Sequence, residues 1–109
     1  QKESISPVSL MSIINSRLPQ TVVKNMGAPR LENRTGRFSN SVRVTDIQTT
    51  RQGYPSIGYT YQRDPYGVFE STSGTRFSSI ERDPRQLIEG SIREIAAELA
   101  IGRFYTRRV

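Results

Sequence analysis

Residues 38–48 read FSNSVRVTDIQ. Phe38, Val42 and Val44, with Asn40 among them, fall on one side; Ser39, Ser41, Arg43 and Thr45 fall on the other. This alternation is the period-two pattern of a half-buried strand, and its β-branched residues suit a pleated surface. It decides the fold class, because the segments before and after it read as helices. A second strand is expected in SIGYTYQ (residues 56–62), with Ile57, Tyr59 and Tyr61 on one side. A shorter third is expected in YGVFEST (residues 66–72), after the Asp64-Pro65 turn.

Upstream, ISPVSLMSIINSRL (residues 5–18) opens a helix. Ser6 is placed to cap it, and Pro7 suits the first helical position, where a missing N–H costs nothing. Leu10, Ile13, Ile14 and Leu18 define its buried face. Pro19 lacks the N–H that would bond residue 15, so the helix is expected to stop or kink there. The region is therefore read as one helix or as a helix pair, the second member over 19–26 with Val22, Val23 and Met26, and Gly27 offers the C-terminal cap.

Downstream, DPRQLIEGSIREIAAELAIGRF (residues 83–104) is the clearest helix. Asp83 caps, Pro84 takes the first position and Gln86 is placed to complete a capping box. Ile88, Ile92, Ile95 and Leu99 form the apolar stripe, widened by Leu87, Ala96 and Ala100. Gly90, mid-helix, costs about 1 kcal/mol relative to Ala, so a close packing neighbour is expected there. Gly102 is expected to end the helix. The sum is one α+β domain over 1–109, helical over 7–27, with a small antiparallel sheet within 38–70 and a loop at 71–82. The helix at 83–102 packs on the sheet and a basic tail occupies 103–109.

Composition narrows the chemistry. The 109 residues contain neither histidine nor cysteine. The commonest general base, the commonest transition-metal ligands and the thiolate nucleophile are therefore absent. Glu94 and Glu98 share a helix side and read as a solvated face rather than a cation site. No carboxylate spacing selects a hydrolase, and no cofactor motif is present. No run approaches the roughly 20 apolar residues of a membrane span. The first residue is Gln rather than Met, which fits a processed protein or a piece of a longer one.

The charge carries more information. Of 16 basic residues only Lys2 and Lys24 are lysine, and the net charge is +6. Residues 1–54 hold eight basic and three acidic groups, whereas residues 55–109 hold eight and seven. Arginine's planar fork suits phosphate or carboxylate contacts and tolerates interfaces. In ENRTGRFSNSVRV (residues 32–44) one glycine is too few for a phosphate cradle, and a strand pattern follows instead of a helix. Gly36 reads as a turn with positive φ. Arg34, Arg37 and Arg43 then read either as phosphate or partner contacts or as a solvated turn. Tyr59 and Tyr61 read as core with a wet hydroxyl. Tyr66 and Tyr105 stay open between core and interface, as do the tail arginines Arg103, Arg107 and Arg108 between nucleic acid and a neighbouring subunit.

The segment NRTGRFSNSVRV, through Thr35, Gly36, Phe38, Ser41 and Val42, resembles the strand-opening motif of the tail-completion, or head–tail connector (neck), proteins of long-tailed bacteriophages. PYGVFESTSGT matches a second family motif through Tyr66, Phe69, Glu70, Gly74 and Thr75, although STS intervenes before the glycine. RDPRQLIEGSIREIA matches the proline-containing start of the family's C-terminal helix. The resemblance spans residues 7 to 101. It implies a non-enzymatic virion protein, made in the host cytoplasm, that forms a ring of copies at the junction of head and tail. A related module of a larger virion protein fits the same motifs, and the arginine-rich tail lies outside the motifs that carry the resemblance. Ring contacts join two different patches of each subunit. The arginine turn at 34–43 and the acidic helix at 89–98, with Glu94 and Glu98, are the expected pair, and Tyr66 and Glu70 are further partner-facing candidates. Nucleic acid bound by the arginines and the tail is the alternative.

Overall fold

The computed structural model describes residues 6–27, 36–70, 74 and 83–109. Helix α1 runs Pro7–Asn25, and Ser6 Oγ accepts the Ser9 N–H at 3.2 Å as its cap. Pro19 lies inside it, so of the helix or helix pair expected over 7–27 it is the single helix that forms. Burial on both sides of the proline, by Leu10, Ile14, Leu18 and Val22, holds the axis together against the lost hydrogen bond.

Gly36, at φ 76°, begins a short helical turn α2, Arg37–Ser41, where the sequence pattern had placed the first strand residues. Ser39 Oγ donates to Gly36 O and Ser41 Oγ to Phe38 O, so local hydroxyl bonds support a turn there. Strand β1 is Arg43–Thr49 and β2 is Pro55–Thr60, paired antiparallel with a register shift between Val44 and Asp46. The third expected strand is instead a kinked helical turn α3, Arg63–Tyr66, followed by a 3-10 turn, Gly67–Phe69.

Helix α4 spans Pro84–Glu98, and Asp83 Oδ1 accepts the Arg85 N–H at 2.9 Å. It ends before Gly102. Ala100 takes the left-handed conformation at φ 55°, with Ile101 N–H on Ala96 O and Ala100 N–H on Ala97 O. That pair of bonds is a Schellman ending. The expected basic tail is strand β3, Tyr105–Arg108, parallel to β2. The sheet is therefore mixed, in the order β1-β2-β3, and the α+β class stands.

Helix α1 packs against α4 and β1. The apolar stripes of both helices meet Phe38, Val44, Ile57 and Tyr59 in one core. Asn15 fixes α1 to the sheet edge: its Nδ2 donates to Val44 O at 3.0 Å and its Oδ1 accepts Val44 N–H at 2.7 Å. This side-chain amide takes the place of a further strand and covers an edge that would otherwise pair elsewhere. Gly90 has open space among the described residues where a packing neighbour was expected.

Candidate partner-binding surface

Two of the tail arginines turn inward. Arg107 crosses β2 to form a two-pronged pair with Asp46, at 3.1 and 2.8 Å, and its Nε donates to Ser56 Oγ. Asp46, Gly58 and Arg107 share one row of the sheet. Gly58 is needed there, because a Cβ would strike Asp46 Oδ1 and Arg107 Nη1. The hydrogen bonds from Arg107 hold the Asp46 carboxyl below its ordinary range.

Arg108 Nε stands 3.0 Å from Glu70 Oε2, off its hydrogen-bonding direction, so the contact is a charge pair. Glu70 is only 7% exposed. It also accepts the Tyr61 hydroxyl and lies 4.0 Å from Arg85. Arg85 in turn grips Asp83, with Nε at 3.1 Å and Nη2 at 2.8 Å, which raises the guanidinium pKa further above its usual range. Glu70 and Asp83 thus meet at one ionic staple, closed by β3. Burial, then the hydrogen bonds to Glu89 and Glu70, keep the Tyr59 and Tyr61 hydroxyls protonated well beyond the usual phenol range.

The acidic side of α4 faces α1. Glu94 accepts from Lys24 Nζ at 2.5 Å and from Asn25, and these bonds lower its pKa. Glu98 lies 3.4 Å from Arg17. Tyr66 packs its ring on Phe38, centroids 5.0 Å apart. Arg37 donates to Gln62 and is exposed, as is Arg43. Arg34 lies outside the described residues. The structure therefore joins Glu70 to Arg108, brings Glu94 and Glu98 to α1, and leaves Arg37 and Arg43 on the surface at the head of β1.

One cluster faces outward. Tyr54 precedes β2 and Tyr105 opens β3, so their rings meet at the same end of the sheet, 6.4 Å apart and inclined at 73°. The Arg103 guanidinium lies 5.3 Å from the Tyr54 ring and 5.7 Å from the Tyr105 ring. Hydrogen bonds between Thr50 and both Gly53 and Tyr54 fix the turn beneath. Tyr54 is the member that sequence reasoning missed as a site residue, since only the parallel pairing of β3 brings it to Arg103. Among the described residues no group of side chains could hold a metal ion, and no helix is long and apolar enough to cross a membrane. The arrangement offers ion pairs, aromatic faces and strand edges, which are the means of binding.

These elements define a small α+β domain, and comparison with known proteins gives it a family: the tail completion proteins of bacteriophages. A family model described as "Bacteriophage T5 tail completion protein p143" matches residues 3–108, and the chain belongs to that family. It is 35% identical over 94 residues to the tail completion protein p143 of Escherichia phage T5, a match covering 75% of this chain and 36% of that protein. The chain thus spans about a third of the length of the curated relative it matches. No solved structure matches it.

Proposed function

We propose that the chain is a non-enzymatic structural component of a phage tail, built into the particle through contacts with copies of itself and with other virion proteins. The observation that carries this reading is the family match, which runs from before α1 to the end of β3. We place it in a ring at the head–tail junction, made in the host cytoplasm and incorporated into the virion. The exposed arginines Arg37 and Arg43, with Arg34 before them, are retained as proposed partner contacts. A neighbour's Glu94 and Glu98 are weaker complements for them, because both carboxylates already hold α1. Exposed pairs of that kind are worth about 0–1 kcal/mol, so they can be exchanged on assembly.

The nucleic-acid reading loses part of its footing, since Arg107 and Arg108 are engaged within the chain. Native mass at two protein concentrations and two salt concentrations tests the ring. A ring gives a fixed multiple of the monomer mass that persists in salt. A lone monomer throughout would overturn the ring, and affinity for DNA that falls steeply with salt would favour the alternative.

A further inference from the structure

We infer that the Arg103–Tyr54–Tyr105 cluster is a docking site for an acidic segment of a different protein; this rests on reading the chain as a docking protein, and names the chemistry of one partner. Among the described residues, Asp46, Glu70, Asp83, Glu89, Glu94 and Glu98 all have partners within the chain. Asp64 is exposed and has none. Arg43, Arg51, Arg93 and Arg103 have no carboxylate partner. Over the whole sequence each copy carries 16 basic and 10 acidic residues, so an assembly of copies alone keeps an excess of cations. The missing acid comes from elsewhere.

Of these four positions, only Arg103 sits in a built environment. Two tyrosine rings flank its guanidinium, and cation–π contact orients the fork while leaving its N–H groups to donate outward. Tyr105 is 38% exposed, and Arg51 stands in the same turn as Tyr54. Arginine beside tyrosine on a rigid turn is the composition of an interface hot spot.

A protein carboxylate fits better than a nucleic acid. The rings meet nearly edge to face, so they form no parallel platform on which successive bases could stack. Two cations, Arg51 and Arg103, also make a short track for a phosphate backbone. Arg43 begins β1, at the far end from this turn, and Arg93 lies on α4.

The test measures binding of a fluorescent peptide of alternating glutamate and serine to the free chain, by anisotropy, beside an oligothymidylate of matched charge. Arg103→Gln is expected to weaken the peptide about tenfold, the size of one charge-assisted contact. Arg93→Gln, with the same loss of charge, should change it less than about twofold. Tyr105→Ser should also weaken it, with circular dichroism unchanged because both side chains are exposed. Equal losses at Arg93 and Arg103 would overturn the inference, as would tighter, Arg103-dependent binding of the oligothymidylate. Self-association abolished by Arg103→Gln would overturn it too, by making the occupant a second copy. A chain present in particles yet insensitive at Arg103 would sink this inference alone. Arg103-dependent peptide binding by a chain missing from particles would sink the tail reading alone.

Discussion

At Gly58 a missing side chain has a direct structural use. The fork of Arg107 reaches Asp46 across this residue, and any Cβ would stand in its path. Gly58→Ala should cost about 1–2 kcal/mol in chemical denaturation, the size of a well-oriented pair plus local strain. In that background Arg107→Ala should cost nothing further, a coupling that a double-mutant cycle reads directly. Ala100 makes the opposite case. Its left-handed backbone at φ 55° is disfavoured for a side chain. Ala100→Gly should therefore stabilise the chain by about 0.5–1 kcal/mol, the left-handed penalty less the entropy of glycine.

At the scale of elements, the sequence was most legible where chemistry is local. Ser6 and Pro7, and Asp83 and Pro84, mark the starts of α1 and α4, and both apolar stripes lie in the core. Strands β1 and β2 were readable from Val44, Ile57 and Tyr59. The first strand begins later than expected because Gly36 and two serine hydroxyls favour a turn that still buries Phe38. Strand β3 was not legible, because Tyr-Thr-Arg-Arg has no apolar alternation. Its inward face is anchored by the Arg108–Glu70 charge pair, and a pairing partner forty or more residues away leaves no periodic trace. The same cause hid the Arg103–Tyr54 contact and made Glu70 and Arg108 look like surface. Arg108→Ala should cost about 2–3 kcal/mol, because it removes the nearer of the two guanidinium groups beside a carboxylate that is almost fully buried. Arg17→Ala, which frees an exposed Glu98, should cost less than about 0.5 kcal/mol in the same denaturation series.

For the whole molecule, charge sets the pH dependence of stability and the character of the surface. Asp46 and Glu94 are held below their ordinary range by Arg107 and by Lys24 with Asn25. On unfolding they return to the usual carboxylate pKa of about 4, so in the acid range the unfolded chain binds more protons. Their contribution is therefore present above about pH 4 and is lost as the pH falls through the depressed folded values. Thermal melts across that range should show an acid limb, and Asp46→Asn should flatten it. Consumption of carboxylates inside the fold leaves an outward surplus of arginine on a chain of net charge +6. Such a surface suits a protein that is held in place by others. Purified particles, separated into heads and tails and quantified by mass spectrometry, put this to the most direct test. A structural tail protein will be present at a fixed copy number and will travel with the tails, whereas its absence from infectious particles would contradict that role outright.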